Sequence, residues 1–113
     1  MAIYSNLLVD QGSTFRANVD VTDSDGNELN LTNYTVAAQL RKNYSSTTAV
    51  EFTATISNAT SGVLEIFLSD TQTDLLKAGR YVYDVEITSP GGEVTRVLEG
   101  QIEVSPGVTR VII

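Results

Sequence analysis

The most regular stretch of the chain is residues 81–88, where apolar and polar positions alternate with a period of two. Its apolar positions are Tyr81, Tyr83, Val85 and Ile87. This period predicts a half-buried β-strand whose two tyrosines face the core. A buried tyrosine hydroxyl needs a hydrogen-bond partner, and at the corner of a β-sandwich that partner is often a backbone group. We therefore expect this strand to lie at the centre of the fold.

The same alternation recurs along the chain and predicts six further strands, at residues 7–9, 14–22, 35–42, 50–57, 63–68 and 94–104. The Asp25-Gly26 pair after the second of these is a strong hairpin signal, because such a turn needs positive φ at its centre. Residues 58–62 form a second turn, which predicts a hairpin between strands 50–57 and 63–68. Gly100 predicts a bulge within the last strand, since glycine weakens a strand interior.

Residues 69–79 carry signals for one or two helical turns between strands 63–68 and 81–88. Ser69 is a capping residue with Gln72 three positions later, and Gly79 ends the segment. We expect this short helix to connect the two sheets of a sandwich.

About seven short strands, with a glycine-containing turn between most of them, favour an all-β, immunoglobulin-like antiparallel β-sandwich with one short helical turn. A small β-barrel is the alternative. The chain has 113 residues, which suits a single sandwich domain over residues 1–113 with one hydrophobic core. Kinship with antibody domains is not suggested, because their cysteine pair and core tryptophan are missing.

Composition excludes several kinds of chemistry. The chain contains no cysteine and no histidine, which rules out disulfides, thiol nucleophiles, serine–histidine hydrolysis and histidine-ligated zinc. Acidic residues number 14 against 7 basic ones, and the net charge of −7 repels nucleic acid phosphates. The chain has no long apolar run and no basic leader at residues 1–6. We therefore expect no nucleic acid partner, no membrane partner and no export signal.

Three features invite assignment as sites, and each has a simpler explanation. Residues 23–28 are rich in oxygen ligands, but a calcium loop of the EF-hand type is longer and ends in a distal glutamate. Four glycosylation sequons, which matter only in a secreted eukaryotic protein, begin at Asn30, Asn33, Asn43 and Asn58. Asp84, Glu86, Glu99 and Glu103 are the carboxylates that would supply a glycosidase-type acid and base, but their alternation predicts a solvated sheet face. We expect no catalytic, cofactor-binding or metal-binding residue, and no enzyme.

Several segments together resemble a family of known proteins, namely residues 4–7, 10–15, 31–34, 39–42, 76–84 and 99–109. They are similar to small structural proteins of tailed bacteriophages, particularly cyanophages. That group is similar to the β-sandwich modules at the N-termini of upper baseplate proteins and in lower tail fibre proteins. The resemblance covers nearly the whole chain and rests on turn and core residues. It implies a non-enzymatic virion component, present in many copies, whose partners are capsid or tail subunits and further copies of itself.

Apolar side chains near both ends of the chain are the candidates for docking, namely Ile3, Tyr4, Val108, Val111, Ile112 and Ile113. Such tails order on a neighbouring subunit by strand addition or groove filling. The alternative is that Ile3, Leu7 and residues 111–113 pair within their own sandwich.

Two virion locations and one different class of function stay open. A decoration or cement protein would sit on the capsid, whereas a neck, baseplate or tail-fibre adaptor would form a ring on the tail. A module that binds host glycans would need exposed aromatic side chains, for which Tyr4 and Tyr44 are the free candidates.

Overall fold

The computed structural model describes residues 3–109, which form two packed β-sheets and one short helix. Its strands are β1 Ile3–Tyr4, β2 Leu7–Asp10, β3 Phe15–Asp20, β4 Thr35–Arg41, β5 Val50–Glu51, β6 Thr53–Asn58, β7 Val63–Leu68, β8 Gly79–Thr88 and β9 Val94–Ser105. The helix α1 spans Asp70–Asp74. The larger sheet has the order β1-β9-β8-β4-β5, with β2 also pairing with β9, and the smaller has the order β3-β7-β6. Strands β1 and β2 run parallel to β9, and the other neighbours are antiparallel.

The predicted all-β, immunoglobulin-like sandwich is confirmed. In chain order, β3, β7 and β6 occupy the places of strands B, E and D, while β4, β8 and β9 occupy those of C, F and G. The tyrosine corner of that fold is also present, since the Tyr81 hydroxyl donates to the Lys77 carbonyl oxygen at 2.8 Å. The Tyr81 hydroxyl therefore has the backbone partner expected for it.

The core lies between the two sheets, on the inward positions that the alternation predicts. In β7, Leu64, Ile66 and Leu68 are fully buried, and in β8 Val85 and Ile87 are buried as well. Each such side chain contributes about 1.5–3 kcal/mol to folding through its burial. The two hydrophobic faces therefore hold the sheets together. No helix of the described chain is long and apolar enough to cross a membrane.

The prediction of one strand over residues 50–57 is wrong, because the chain changes sheets at Phe52. Strand β5 pairs with β4 in the larger sheet, whereas β6 pairs with β7 in the smaller one. Between them, the Phe52 N–H donates to the Ala38 carbonyl at 3.0 Å, and the Phe52 ring packs edge-on against Tyr83. Alternation specifies which side chains face inward but not which sheet carries the backbone, so the crossover leaves the pattern intact.

The Asp25-Gly26 turn exists, but it does not join neighbouring strands of one sheet. Gly26 has φ 83°, and its N–H donates to the Asp23 carbonyl at 3.0 Å. A single bridge between Thr22 and Glu28 closes the turn, after which β4 enters the other sheet. By contrast, the hairpin predicted around residues 58–62 is confirmed as β6–β7.

The bulge predicted near Gly100 is wrong in position. The register between β8 and β9 shifts after Val85, which faces Leu98, to Glu86, which faces Arg96. The additional residue is therefore Val97. A Cβ atom at Gly100 would overlap the Ser5 carbonyl oxygen, so glycine is required here by the close approach of another backbone segment.

Helix α1 begins with the predicted capping box. The Ser69 hydroxyl accepts from the Gln72 N–H at 3.2 Å, and the Gln72 side-chain oxygen accepts from the Ser69 N–H at 3.0 Å. The helix links β7 in the smaller sheet to β8 in the larger one, as predicted. Buried Thr73 anchors it, since the Thr73 hydroxyl donates to the Ser13 carbonyl and accepts from the Gly12 N–H.

Candidate docking edge

Four exposed apolar side chains lie along one edge of the larger sheet. Ile3 and Tyr4 on β1 are 58% and 61% exposed, and Leu8 on β2 is 62% exposed. Val108, three residues beyond the end of β9, is 94% exposed. We call Ile3, Tyr4, Leu8 and Val108 the docking edge. They share an edge because β1 and β2 both pair with β9, the strand that leads to Val108.

Backbone pairing places the side chains of this edge. Tyr4 is level with Glu99 and Leu8 is level with Glu103, two residues that alternate with the buried positions of β9. Val9, the residue after Leu8, is fully buried. Tyr4 and Leu8 therefore project from the outer face of the sheet, while Val9 contributes to the core.

The N-terminal segment thus pairs within its own sandwich through its backbone, which is the alternative considered for Ile3 and Leu7. Ile3 is level with Leu98, and Leu7, which is half-buried, is level with Ile102. The exposed side chains of Ile3 and Tyr4 nevertheless remain available for contact. Val111, Ile112 and Ile113 lie outside the described residues.

Ser5 and Asn6 separate β1 from β2, and their hydrogen bonds hold this part of the chain against β9. The Ser5 N–H donates to the Glu99 carbonyl at 2.8 Å, and the Asn6 side-chain oxygen accepts from the Gln101 N–H at 3.1 Å. Ser5 crosses directly above Gly100. Residues 5 and 6 are therefore hydrogen-bonded to β9 on either side of Gly100.

The carbonyl oxygen of Ser5 accepts a hydrogen bond from the core side of the larger sheet. The Tyr83 hydroxyl donates to it at 2.7 Å. Burial of the ring raises the pKa of Tyr83 to about 12, so the hydroxyl stays protonated and remains a donor throughout the neutral range. Tyr83 thereby connects the central strand to the segment that carries the docking edge.

Gln11 fixes the direction in which the chain leaves β9. The Gln11 N–H donates to the Ser105 carbonyl at 2.9 Å, and the Gln11 side-chain oxygen accepts from the Gly107 N–H at 3.0 Å. The side-chain amide of Gln11 also donates to the Leu76 carbonyl at 2.8 Å. These bonds hold the chain next to the end of β2 just before Val108.

The four carboxylates considered as a glycosidase pair lie on the outer face of the larger sheet, and two of them are occupied in ion pairs. Asp84 and Glu99 are directly opposite each other in the β8–β9 register. Arg96 binds both, at 3.3 Å and 3.5 Å. Like charges that face each other across strands are destabilising, and Arg96 offsets that repulsion.

In the oxygen-rich loop at residues 23–28, the carboxylate of Asp23 stabilises the turn. One Asp23 carboxylate oxygen accepts from the Asp25 N–H at 2.9 Å and from the Asn27 N–H at 3.0 Å. Within residues 3–109, no three histidine, cysteine, aspartate or glutamate side chains group closely enough to hold a metal ion.

Tyr44, named from the sequence as a free aromatic residue, is 80% exposed on the β4–β5 loop. The loop is well held, because the Asn43 side-chain oxygen accepts from the Ser45 N–H and from the Ser45 and Ser46 hydroxyls. Tyr44 borders a depression of about 310 Å³ on the outer face, whose lining also includes Gln39, Arg41, Val82, Tyr83, Asp84, Glu86, Arg96 and Glu99.

Leu8 is the member of the docking edge that sequence reasoning missed. Leu7, Leu8 and Val9 form an apolar run that predicts a short strand. Since a strand sends consecutive side chains to opposite faces, three consecutive apolar residues must place at least one of them outward. That was the signal available for Leu8.

No family model matches the chain, and no curated protein matches it in sequence. Solved structures similar in fold include the three that follow. An internalin-like protein of Listeria monocytogenes is 19% identical with a TM-score of 0.49, and the match covers 92% of this chain and 28% of that one. A structure from a study of multimeric cell-adhesive interactions of VGSC beta subunits is 15% identical with a TM-score of 0.47, over 90% of this chain and 92% of that one.

The third similar structure is a family 123 glycoside hydrolase from Clostridium perfringens. It is 16% identical with a TM-score of 0.41, and the match covers 93% of this chain and 23% of that one. The chain thus spans less than a third of the internalin-like protein and of the hydrolase. At these identities and scores, none of the three transfers an activity, substrate or partner to this chain.

Proposed function

We propose that the chain is a non-enzymatic structural protein of a bacteriophage virion that docks in many copies, through its docking edge, on capsid or tail subunits. The observation that carries this proposal is the pair of large exposed apolar side chains, Tyr4 on β1 and Leu8 on β2, that share the outer face at the edge of the larger sheet. The resemblance of the sequence to tailed-phage structural proteins supplies the class of particle.

The docking edge has physical properties that suit a permanent contact. Tyr4 and Leu8 stand on strands whose backbones are already fixed by pairing with β9. A partner that binds them therefore orders little backbone, which lowers the entropic cost of association. Tyrosine also supplies a large contact area with few rotatable bonds.

Charge around the docking edge favours a particular kind of partner. Glu99 and Glu103 are the register neighbours of Tyr4 and Leu8, and the whole chain carries a net charge of −7. A partner with a basic rim around an apolar patch would be attracted to this edge, and other acidic surfaces would be repelled. The surface of a capsid or tail subunit that receives this edge should therefore be basic.

Copy number in the particle tests the proposal and separates its two locations. Quantitative mass spectrometry of virions purified from the encoding phage should detect the chain at a fixed ratio to the major capsid protein. Several hundred copies per particle would indicate a capsid decoration protein, and a small multiple of three or six would indicate a neck, baseplate or tail-fibre adaptor. Absence of the chain from purified virions would contradict the proposal.

Binding of host glycans is a second candidate function, favoured by the position of Tyr44. Its exposed ring stands beside a depression that also contains amide, guanidinium and carboxylate groups, from Gln39, Arg41 and Asp84. Aromatic faces with a few convergent polar groups suit a sugar ring. Binding of the protein to host cells that is lost in Tyr44→Ser but retained in a docking-edge variant would support this second function.

A further inference from the structure

Strand β3 has an open edge. It pairs with β7 on one side, and no strand of residues 3–109 pairs with it on the other. The Val21 N–H donates to the Gly62 carbonyl at 2.8 Å, and the Val21 carbonyl accepts from the Leu29 N–H at 3.0 Å, so the backbone groups of Val21 point into the sheet. Because backbone direction alternates along an antiparallel strand, those of Asn18 and Asp20 point to the open edge.

Beside the end of this edge lies a groove of about 650 Å³ between the two sheets. Its lining includes apolar residues from both sides of the groove, among them Ile3, Val21, Ile87 and Val97. Its charged lining residues are Asp20, Asp23 and Glu93, so all the charges that line the groove are negative. The groove therefore suits an extended apolar segment that carries positive charge.

Residues 108–113 of this same chain have that character. Their sequence is Val-Thr-Arg-Val-Ile-Ile, with four β-branched aliphatic residues and one cation, Arg110. β-Branched residues are the side chains most favoured in strands. We propose that residues 108–113 of one copy add to the open edge of β3 in a second copy, as an antiparallel strand that also covers the groove. This assembly concerns the isolated chain and does not rest on the virion role, although it uses two residues of the docking edge, Val108 in the added strand and Ile3 in the groove.

Charge selects the register of the added strand. If Arg110 lies opposite Asp20, the two side chains form an opposite-charge pair on the outer face, and Ile112 lies opposite Asn18. Thr109, Val111 and Ile113 then follow the inward row formed by Val19 and Ala17 of β3 and by Val21, the residue just after β3. A shift of four residues along β3 would instead place Arg110 opposite Arg16. The register with Asp20 is therefore the favoured one.

The donor and acceptor of this strand are different copies. Within one copy, Gln11 holds Gly107 near the start of β3, the Phe15 end, and not near Asp20. Asp20 lies five residues after Phe15 along the strand, a distance of roughly 17 Å. The three residues from Gly107 to Arg110 reach at most about 11 Å. A copy cannot therefore place its own Arg110 opposite its own Asp20 in an antiparallel strand.

The contact is heterologous, because residues 108–113 of one copy bind a different surface, strand β3, on the next copy. Such contacts close into a ring if the rotation between copies allows it, and otherwise continue as a filament. Every copy can both donate residues 108–113 and receive them at β3.

Disulfide trapping tests the proposal, because the chain has no cysteine of its own. In the double variant Asn18→Cys, Ile112→Cys, the proposed register brings the two Cα atoms to about 5.5 Å, a separation that a disulfide spans. Mild oxidation of the full chain should give covalent multimers, or closed rings, on a denaturing gel, and a reductant should return them to single chains on the same gel. The matched control is Thr55→Cys, Ile112→Cys, since Thr55 is level with Asn18 across β7, on the opposite edge of the same sheet. On a denaturing gel without reductant it should run as a covalent monomer.

Each other outcome of the oxidation would overturn the proposal. A monomer with an internal disulfide would show that residues 108–113 occupy β3 of their own copy. Equal multimers from the control would show that the cross-links are non-specific. Failure of both variants to cross-link would show that the segment does not reach this sheet.

A charge exchange tests the register separately. Asp20→Arg and Arg110→Asp should each weaken self-association by roughly two- to fivefold, since each removes a cross-strand ion pair and creates a like-charge pair. The double variant should recover it, as measured by sedimentation. Single variants that associate like the parent protein, or a double variant that fails to recover, would contradict the pairing of Arg110 with Asp20.

Discussion

The Tyr83 hydroxyl donates a hydrogen bond of 2.7 Å to the carbonyl oxygen of Ser5, a residue 78 positions earlier in the chain. Tyr83 belongs to the central strand β8, and Ser5 belongs to the break between the two strands that carry the docking edge. One buried side chain thus connects the core to the surface that we propose binds a partner.

We expect Tyr83→Phe to destabilise the protein by about 1–3 kcal/mol, because it leaves the Ser5 carbonyl without its side-chain donor. The loss is measurable from the urea unfolding midpoint. Tyr44→Phe is the matched control, because the Tyr44 side chain is exposed, and it should change stability by less than about 0.5 kcal/mol. Equal effects of the two substitutions would argue against a structural role for the Tyr83 hydroxyl.

The free energy of unfolding should fall at alkaline pH, because the Tyr83 hydroxyl ionises there. Burial raises the pKa of Tyr83 to about 12, above its value of 10.0 in an unfolded chain. The resulting stabilisation is fully present below pH 10 and is lost as pH rises toward 12, and two pKa units correspond to roughly 2–3 kcal/mol. Urea unfolding measured across this range should show the loss in the parent protein, and a smaller loss in Tyr83→Phe. An identical pH dependence in both proteins would exclude Tyr83 as its source.

Gly100→Ala should destabilise the protein by about 1–3 kcal/mol or more, because its methyl group would overlap the Ser5 carbonyl. The expected consequence is a loosened β1–β2 segment, visible as faster amide exchange at residues 3–10. Gly91→Ala provides the control, since a Cβ atom there would meet only the Ser89 hydroxyl at 3.9 Å. If Gly100→Ala were as stable as Gly91→Ala, the close approach of Ser5 would not be what requires glycine.

Arg96→Ala should lower stability by roughly 0.3–1 kcal/mol, since it leaves Asp84 and Glu99 facing each other without a cation between them. Because these side chains are partly exposed, the loss should shrink at high salt. Urea midpoints at low and high salt measure both effects. A loss that is independent of salt would indicate a packing role for the arginine stem instead.

The sequence predicted which side chains of nearly every strand point into the core. Alternation is visible from neighbouring residues alone, and the apolar positions of an alternating strand are the ones that must be buried. Tyr81 and Tyr83 were both placed inward with backbone partners, and Ser69 with Gln72 predicted the capping box of α1. The distribution of strands between sheets was not predictable in the same way. At Phe52 the backbone changes sheets while the side chain keeps its inward direction, so the pattern of residues 50–57 contains no sign of the crossover.

The docking edge was predicted only in part, for a related reason. Ile3 and Tyr4 could be named because they are apolar and close to the start of the sequence. Their parallel pairing with β9 could not be predicted, since it depends on contacts between positions more than ninety residues apart. Gly100 shows the same limit, because its partner Ser5 is equally distant in sequence, and a bulge was the only local explanation for a glycine in a strand.

The central claim is that the docking edge attaches the chain to its virion, and the variant Tyr4→Ser, Leu8→Ser tests it most directly. Its isolated domain should unfold within about 0.5 kcal/mol of the parent, because both side chains are exposed. Virions assembled with this variant should carry a small fraction of the parent copy number by quantitative mass spectrometry, whereas virions with Tyr44→Ser should carry the full number. Full occupancy by the docking-edge variant would contradict the account.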